Sequence, residues 1–471
     1  MDRSNQVPLD VTQGTWHLIG IGGIGVSAVA RVLHARGCRV QGSDVRASQL
    51  THALEALGIQ VHIGHNASHL DGVDTVVVST AIPATNPELV AARERDLPIV
   101  HRSRVLAALL EDRHAIGVIG THGKGTVSAA ITWLLEADGR APGYMIGGLL
   151  ENFGDNSRDG DGWFVAEVDE SDGSLVNVHP EVAVLNNLEL DHLNYYPDWE
   201  TLQAAVCAFF LDNPRLRLAI LNADDAGVRR ILPHLAPLAE RGVRMLTFGF
   251  EQPADVRGED LQARRMSGSF AVTRGGAAAL GRVEVALPGA YNAANVLAAI
   301  ATCDALGVPF ATMAAALPVF TGLENRFTLV DAAGIEVVKD YISHPTGILR
   351  VLEAARAQAE GEVVAVFKPY RFTMIHYLQD DYARAFQDAD RVIVTELYTA
   401  GEVPIPGVNV DLLCRRIRES CARVEYVAAL DAIPPLLEDS VAAPATVLFF
   451  GGDDLFQVAD SYARDRLAAA N

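Results

Sequence analysis

Short runs of consecutive apolar residues recur along the chain, and most of them end in a glycine-rich or acidic turn. Such runs predict strands that are buried on both faces, as in parallel sheets. Stretches with helical spacing of apolar residues separate several of them, which is typical of βαβ units. The predicted strands are 16–20, 38–41, 75–79, 98–100, 115–119, 163–168, 181–186, 218–222, 335–338, 363–367, 391–395 and 446–450, and the predicted helices include 26–36, 127–135 and 293–306. The pattern predicts an α/β protein with parallel sheets in three consecutive segments.

The first glycine-rich turn, residues 20–25, joins a predicted strand to a predicted helix. A G-x-G-x-x-G turn in this position, followed about 20 residues later by an acid, is the fingerprint of a dinucleotide-binding βαβ unit. We expect Asp44 to accept a hydrogen bond from a hydroxyl or an N–H group. A diphosphate is expected on the turn itself, at Gly22, Gly23 and Gly25. A nicotinamide cofactor is the standard interpretation of this motif taken alone.

The second glycine-rich turn precedes the predicted helix 127–135. Its glycines allow backbone N–H groups to surround an anion, and Lys124 can reach a terminal phosphate. Only three lysines occur in the chain, at positions 124, 339 and 368. The usual pattern places Ser or Thr directly after the loop lysine to hold Mg²⁺, but here Gly125 intervenes and the hydroxyl falls on Thr126. The predicted triphosphate site consists of Gly120, Thr121, Gly123, Lys124, Gly125 and Thr126. The alternative is a glycine-rich turn that binds nothing.

Acidic residues follow two predicted strands of the second segment. The carboxyl end of the strand 163–168 carries Glu167, Asp169, Glu170 and Asp172. Carboxylates at the carboxyl end of a strand are well placed to hold Mg²⁺ beside phosphates. Asp191 and His192 follow the strand 181–186, where they can reach a second metal ion or a transferring phosphoryl group. The alternatives are a solvated acidic turn and a structural Asp-His pair.

The composition is that of an ordinary globular protein, with 49% hydrophobic and 21% charged residues among 471. This length predicts about three domains. The formal net charge of -21 argues against a nucleic-acid partner, because phosphate neutralisation requires an excess of Lys and Arg. The five cysteines are widely spaced and form no C-x-x-C pair, so neither a disulfide framework nor a structural zinc site is predicted. The polar start and the absence of a long apolar run predict a cytoplasmic protein with no membrane partner.

Six motifs follow one another along the chain. They are residues 20–25, 79–88, 120–124, 167–174, 186–192 and 401–407. In this order they resemble the Mur ligase family, and the resemblance covers nearly the whole chain. The resemblance implies three domains. They are a Rossmann-like UDP-sugar-binding domain at 14–112, a central P-loop ATP-binding domain at 113–325 and a C-terminal Rossmann-like domain at 326–471 that binds the amino acid.

The resemblance also implies an activity, ATP-dependent amide-bond formation in peptidoglycan precursor synthesis. The chain is most similar to the branch that adds L-alanine to UDP-N-acetylmuramate. In that reaction ATP phosphorylates the muramyl carboxylate, an amine attacks the acyl phosphate, and a tetrahedral intermediate collapses to an amide. ATP and Mg²⁺ are the expected cofactors, and UDP-N-acetylmuramate and an amino acid are the expected partners. In this family the first glycine-rich turn holds the UDP diphosphate rather than a nicotinamide dinucleotide.

Roles for individual residues are implied by their match to the family motifs. The expected UDP-substrate residues are Gly22, Gly23, Gly25, Ser43, Asp44 and His65. The expected adenine residues are Asn292 and Asn295, and Asp340 is expected to face the ribose. The expected Mg²⁺ ligands are Thr126, Glu167 and His192. The expected catalytic residues are Lys124, His192, Arg326, His344 and Arg371.

Four positions depart from the family pattern, namely Gly125, Tyr291, Ser343 and Met374. Met374 replaces an arginine that could bind the carboxylate of the amino acid through two hydrogen bonds. No lysine lies between Lys124 and Lys339, which excludes the carbamylated lysine that several family members use as a metal ligand. Two alternatives follow. One is a non-catalytic protein that binds UDP-muramyl ligands or only ATP, and the other is a ligase with a different amino acid or a peptide as acceptor.

Overall fold

The structure is a computed structural model that describes residues 9–171, 173–193, 195–264, 266–276 and 278–470. Asp172, one of the acids expected near Mg²⁺, and most of the polar start lie outside these residues. The chain divides into two compact units. The first contains the described residues up to Glu259 with Ala271–Val283 and Ala294–Leu323, and the second contains Asp260–Phe270, Glu284–Ala293 and the described residues from Glu324 onward.

A five-stranded parallel sheet occupies the start of the first unit. Its elements are β1 (Thr15–Ile19), α1 (Ile24–Ala35), β2 (Arg39–Asp44), α2 (Gln49–Ala56), β3 (Gln60–Ile63), β4 (Thr75–Val78), α3 (Pro87–Glu94), β5 (Ile99–His101) and α4 (Arg102–Glu111). The strand order is β3-β2-β1-β4-β5, and neighbouring strands are parallel. The order reverses beside β1, and ligands of doubly wound sheets bind at the carboxyl ends of strands at such a point.

The second sheet has ten strands. Its region of the chain comprises β6 (His114–Ile119), α5 (Lys124–Ala137), β7 (Gly143–Leu150), β8 (Asp155–Arg158), β9 (Trp163–Glu167), β10 (Val182–Leu185), α6 (Trp199–Leu211), β11 (Leu218–Asn222), α7 (Ala226–Ile231), α8 (Pro237–Glu240), β12 (Arg244–Gly249), β13 (Val256–Arg264), β14 (Ser267–Arg274), β15 (Ala278–Val285), α9 (Ala290–Ala305) and α10 (Phe310–Ala316). The order is β15-β14-β13-β12-β11-β10-β6-β9-β7-β8. Strand β6 pairs in parallel with β9 and β10, so the segments that follow these three strands share one edge of the sheet.

The third sheet has six strands and lies in the second unit. Its elements are β16 (Thr328–Ala332), β17 (Ile335–Asp340), α11 (Pro345–Arg356), β18 (Glu362–Phe367), α12 (Phe372–Ala385), β19 (Arg391–Val394), α13 (Val410–Ile417), β20 (Val424–Tyr426), α14 (Ile433–Ser440), β21 (Ala445–Phe450) and α15 (Asp453–Ala470). The order is β16-β17-β21-β18-β19-β20. Only β16 runs antiparallel to its neighbour.

The predicted α/β class is confirmed, and each predicted strand coincides with an observed one to within a few residues. The match follows from burial, because β10, β11 and β21 consist of buried residues throughout. The strands β3, β7, β8, β12 to β16 and β20 were not predicted. Across the described ranges, no helix is both long enough and apolar enough to cross a membrane.

Candidate functional site

The first glycine turn lies against the carboxyl end of β2. Gly20 has a φ of +77°, and its N–H donates to the carbonyl of Ser43 over 2.8 Å. The N–H of Gly22 donates to Asp44 Oδ2 over 2.9 Å. A Cβ at Gly22 would lie 2.9 Å from both Asp44 Oδ2 and Thr51 Cγ2, so only glycine permits this approach. The structure therefore brings the predicted Gly22 and Asp44 into direct contact.

A guanidinium group from α4 lies beside the N-terminus of α1. Gly23 precedes this helix, and no side chain caps it. A Cβ at Gly25 would lie 3.2 Å from Arg102 Nη1, and Arg102 Nη2 donates to Asp169 Oδ2 over 2.6 Å. Burial alone would raise the pKa of Asp169, but the charges of Arg102 and Lys124 outweigh burial and lower that pKa. Sequence reasoning missed Arg102, whose one signal is its place two residues after a predicted strand.

A second missed feature is a buried carboxylate at the start of α3. Glu88 is fully buried and accepts hydrogen bonds from several segments of the first sheet. The donors are His17 Nε2 at 3.3 Å, His65 Nδ1 at 3.2 Å, His69 Nδ1 at 2.7 Å, the N–H of Asn66 at 3.2 Å and the hydroxyl of Ser43. Burial alone would raise the pKa of Glu88, but these bonds, led by that of His17, outweigh burial and lower the pKa to about 2. Glu88 thus holds Ser43 and His65, two of the predicted UDP-site residues.

The second glycine turn connects β6 to α5. Gly120 and Gly123 have φ values of +143° and +76°, which L side chains rarely adopt. A Cβ at Gly123 would collide with Asn295 Oδ1, so the predicted adenine residue Asn295 packs against the loop. The Thr121 hydroxyl donates to the carbonyl of Glu189 over 3.1 Å and accepts from its N–H over 2.9 Å. These bonds fix the loop against the segment that follows β10.

Lys124 begins α5 and lies between a carbonyl and a carboxylate. Its Nζ donates to the Gly120 carbonyl over 2.6 Å and to Glu170 Oε1 over 2.8 Å. The side chains of Lys124 and Glu170 are 13% and 8% exposed, so the ion pair is largely removed from water. Burial alone would lower the pKa of Lys124, but the carboxylates of Glu170, Glu167 and Asp169 outweigh burial and raise it. The lysine is therefore charged and held beside the glycine turn, where an incoming phosphate would meet it.

The groups around Lys124 fit a bound Mg²⁺. Glu167 Oε2 accepts the N–H of Gly147 over 2.7 Å. Glu170 Oε2 is buried and has no hydrogen-bond partner among the residues that the structure describes. His192 Nε2 lies 3.6 Å from Glu170 Oε1. A buried carboxylate oxygen without a partner is costly, and carboxylate oxygens are the ligands that Mg²⁺ prefers. His192 thus lies beside Glu170, and Glu167 and Glu170 both lie close enough to Lys124 to raise its pKa.

Position 125, rather than position 126, faces the acids. A Cβ at Gly125 would lie 3.3 Å from Glu167 Oε2 and 2.7 Å from Leu323 Cδ1. An α-helix turns by about 100° per residue, so the side chain of Thr126 leaves the helix in a different direction. Leu323 therefore fills the space into which a hydroxyl-bearing side chain at position 125 would extend. Metal binding by Thr126 stays a prediction.

In the second unit the structure brings Arg326 and Asp340 together at the end of β17. Arg326 Nη1 donates to the carbonyl of Tyr341 over 2.6 Å and lies 3.7 Å from Asp340 Oδ1. Asp340 Oδ2 accepts the N–H of Phe327 over 2.9 Å. Burial raises the pKa of Asp340 to about 6, although Arg326 opposes the shift. The hydrogen bonds of Arg326 and Asp340 to the backbone hold the two side chains in place.

Asn292, one of the two asparagines predicted to hold adenine, lies near the start of α9. Asn292 Nδ2 donates to the Pro288 carbonyl over 2.9 Å, which fixes the amide at the start of the helix. The preceding Tyr291 is one of the four positions that depart from the family pattern. It packs against the apolar core of the second unit. Burial raises the pKa of Tyr291 well above its usual value. The tyrosine at position 291 is thus a core residue.

Arg371 adopts a conformation that is unusual for a residue with a side chain. Its φ is +64°, in the region that favours glycine. Its guanidinium carbon lies 5.0 Å from the centroid of the Tyr370 ring, and Nη1 lies 3.9 Å from Glu402 Oε1. Its Nε is buried, and no described residue bonds to it. Backbone strain and an unsatisfied donor at one residue are typical of a ligand-binding position.

The remaining predicted residue, His344, forms part of a helix terminus. Its Nδ1 accepts the N–H of Thr346 over 3.3 Å and caps α11. The preceding Ser343 donates its hydroxyl to the sulfur of Met374 over 3.9 Å. Met374 is only 8% exposed and belongs to the apolar core of the second unit. Ser343 and Met374, which both depart from the family pattern, therefore contact each other beside this core.

Sequence models of three Mur ligase domains match successive parts of the chain. The Mur ligase family catalytic domain matches residues 15–114, the Mur ligase middle domain matches residues 118–303, and the Mur ligase glutamate ligase domain matches residues 325–452. Together these matches cover most of the chain in the order that the motifs predicted.

Curated relatives and solved structures agree with these matches. The chain is 41% identical over 455 residues to the UDP-N-acetylmuramate–L-alanine ligase of Symbiobacterium thermophilum, covering 95% of this chain and 94% of that one. It is 38% identical over 449 residues to the enzyme of the same name from Geobacter sp., covering 94% and 96%. The crystal structure of UDP-N-acetylmuramate-alanine ligase from Thermotoga maritima superposes with a TM-score of 0.81 at 28% identity, covering 97% and 100%. The chain belongs to the Mur ligase family of ATP-dependent ligases.

Proposed function

We propose that this protein joins L-alanine to the carboxylate of UDP-N-acetylmuramate at the expense of ATP, as a step of peptidoglycan precursor synthesis. The observation that carries the proposal is the position of Lys124. A charged, desolvated lysine lies at the start of a helix, beside a glycine turn and a partly satisfied carboxylate, Glu170. The names of the relatives at 38% and 41% identity supply the substrates.

The first chemical step is phosphoryl transfer. A muramyl carboxylate oxygen attacks the γ-phosphorus of ATP, the bond to the β,γ-bridging oxygen breaks, and ADP leaves. Lys124 carries positive charge toward the transferring group, and backbone N–H groups of the loop at 120–126 orient the phosphates. Mg²⁺ bound by Glu167, Glu170 and His192 would neutralise charge on the phosphates. The protein contributes orientation and electrostatic stabilisation and needs no nucleophile of its own.

The second step forms the amide. The amino nitrogen of L-alanine attacks the acyl carbon, the nitrogen loses a proton, and inorganic phosphate leaves from the tetrahedral intermediate. Arg371 is one of the expected catalytic residues. Its Nε is buried and no described residue bonds to it, and its backbone has a positive φ. Arg326 and Asp340 form a preorganised pair that matches the family's phosphate-facing and ribose-facing positions. We propose that Asn292 and Asn295 hold the adenine.

The UDP moiety of the substrate is proposed to bind at the carboxyl edge of the first sheet. The diphosphate lies on the turn that contains Gly22, Gly23 and Gly25, at the uncapped N-terminus of α1. Asp44, which contacts Gly22, accepts from ribose hydroxyls. The guanidinium of Arg102, beside Gly25, adds positive charge for the diphosphate.

The test is release of inorganic phosphate from ATP in the presence of UDP-N-acetylmuramate, Mg²⁺ and each amino acid in turn, with mass analysis of the product. Release that requires both UDP-N-acetylmuramate and L-alanine is the expected result. Release with another amino acid or with a peptide would show that this compound, rather than L-alanine, is the acceptor. No release with any acceptor would show that the chain is a non-catalytic relative.

A further inference from the structure

The hydrogen-bond network around Glu88 determines which nitrogen of His65 carries the proton. The Ser43 hydroxyl lies within hydrogen-bond distance of both Glu88 Oε2 and His65 Nδ1, the latter at 3.0 Å. An ionised carboxylate only accepts, and a hydroxyl has a single hydrogen to donate. Ser43 therefore donates to Glu88 and accepts from His65. The His65 ring must then carry a proton on Nδ1, and a ring with a single proton there has Nε2 as an acceptor.

The accepting edge of His65 is the part of the ring that reaches the surface. The side chain of His65 is 15% exposed, whereas that of Glu88 is fully buried. Since Nδ1 points toward buried Glu88 and Ser43, the exposed part is the opposite edge with Nε2. His65 follows β3 directly, and the adjacent Gly64 donates its N–H to the carbonyl of Asp44 over 2.8 Å. The ring edge therefore lies at the same carboxyl edge of the sheet as Asp44.

The order of the strands shows which part of a nucleotide would meet His65. Strand β1 ends in the glycine turn, its neighbour β2 ends in Asp44, and the outermost strand β3 is followed by His65. A dinucleotide-type site places the phosphates on the glycine turn and the ribose on the acid after β2. The base is the next group outward from the ribose, so it lies on the β3 side.

We propose that His65 Nε2 accepts the N3–H of the uracil ring and selects uridine nucleotides over cytidine nucleotides, with Glu88 and Ser43 as positioning residues that fix its tautomer. This inference rests on the proposed UDP-sugar site. Uracil presents a donor at N3, whereas cytosine presents an acceptor there. An acceptor on the protein facing N3 of cytosine would leave both groups unpaired, which costs affinity.

The test is the ratio of the dissociation constants for UDP and CDP, measured by calorimetry at about pH 8, where imidazole is neutral. The unaltered protein is expected to bind UDP at least roughly tenfold more tightly than CDP, because one unpaired polar group costs about that factor. The decisive variant is His65→Asn. The Asn amide nitrogen occupies the position of Nδ1 and can still donate to Ser43, but nothing replaces Nε2. The UDP/CDP preference is expected to disappear.

A matched control is His69→Asn, which makes the same change at another histidine that donates Nδ1–H to Glu88. A merely structural role of the cluster would affect both variants alike. We expect His69→Asn to keep the UDP/CDP ratio. His65→Gln places its amide near the position of Nε2 and leaves the position of Nδ1 empty. This variant is therefore expected to lose thermal stability, because the contact with Ser43 is lost. It should retain more of the UDP/CDP preference than His65→Asn, because an acceptor can still face the base.

Three results would overturn the inference. They are equal affinities for UDP and CDP in the unaltered protein, an undiminished ratio in His65→Asn, and loss of the ratio in His69→Asn. Failure of the proposed function is recognised separately. If phosphate release with UDP-N-acetylmuramate occurs while UDP and CDP bind alike, only the role of His65 is wrong. If the protein binds neither nucleotide, the UDP-sugar site itself is wrong.

Discussion

Two buried carboxylates of the first unit, Glu88 and Glu170, differ in how completely they are hydrogen-bonded. Glu88 accepts from three imidazoles, a hydroxyl and a backbone N–H. Glu170 accepts from Lys124 through one oxygen, and its other oxygen has no hydrogen-bond partner within the described part of the chain. A fully satisfied carboxylate orients its neighbours, whereas a partly satisfied one retains an acceptor for a ligand. The comparison thus separates a positioning role from a binding role.

The largest effect is expected when the cation beside Glu170 is removed. Lys124→Ala should lower ATP turnover by at least about a thousandfold, because the variant loses the charged Nζ beside the glycine turn that would stabilise the transferring phosphoryl group. Phosphate release under saturating substrates measures the effect. Lys339→Ala is the matched control, since Lys339 is equally buried and also ion-paired, with Asp460. Near-normal turnover of Lys124→Ala would show that the loop at 120–126 is not the triphosphate site.

Replacing each carboxylate by its amide compares the two directly. Glu88→Gln should lower the free energy of unfolding by about 3 kcal/mol, because the new NH₂ group faces N–H donors that lose their acceptor. Glu170→Gln should lower it by less, since the amide oxygen can still accept from Lys124 and the carboxylates of Glu167 and Asp169 still compensate the lysine's charge. Urea denaturation of both variants measures the difference. Equal losses would show that the two carboxylates do not differ in the proposed way.

Glu88 should make the stability of the fold sensitive to acid. Its pKa is lowered from 4.5 to about 2 in the folded protein, so ionised Glu88 contributes about 3 kcal/mol of stability at pH values above its unfolded pKa. This contribution should be lost as the pH falls from 4.5 toward 2. The stability difference between the parent and Glu88→Gln is therefore expected to shrink over that interval. A difference that stays constant with pH would contradict the lowered pKa.

The smallest of these effects concerns the glycine turn beside the Glu88 cluster. Gly22→Val should weaken UDP binding by roughly tenfold to a hundredfold, because a Cβ at this position would lie only 2.9 Å from Asp44 and Thr51. Binding of ATP should be unchanged. Separate calorimetric titrations with UDP and ATP check both expectations. Loss of ATP binding in this variant would show that the turn binds ATP and not the UDP diphosphate.

The parallel strands were predictable from sequence because burial on both faces leaves continuous apolar runs. The strand Val256–Arg264 was not, since only Val256 and Gly258 in it are buried and its exposed remainder is polar. Its pairing is set by neighbouring strands rather than by its own pattern. Sequence patterns therefore predicted strands that form continuous buried runs and missed strands such as this one, in which most residues are exposed.

The same distinction applies to the candidate site. The glycine turns and Lys124 were predictable because a strand, a loop and a helix are contiguous in sequence. The role of Glu88 was not, because its side-chain partners come from positions 17, 43, 65 and 69, which only the folded sheet brings together. Arg102 and Asp169 are likewise 67 residues apart. Local motifs predicted the two glycine turns, and long-range hydrogen bonds could be found only in the structure.

The contact between position 125 and Leu323 has a consequence for substitutions in the helix α5. A threonine at 125 would place its Cβ 2.7 Å from Leu323 Cδ1, so the end of the Leu323 side chain would have to move. A smaller residue at position 323 would provide the space, but it would leave a cavity beside α5 that weakens packing. The effect of a substitution at position 125 therefore depends on which residue occupies position 323.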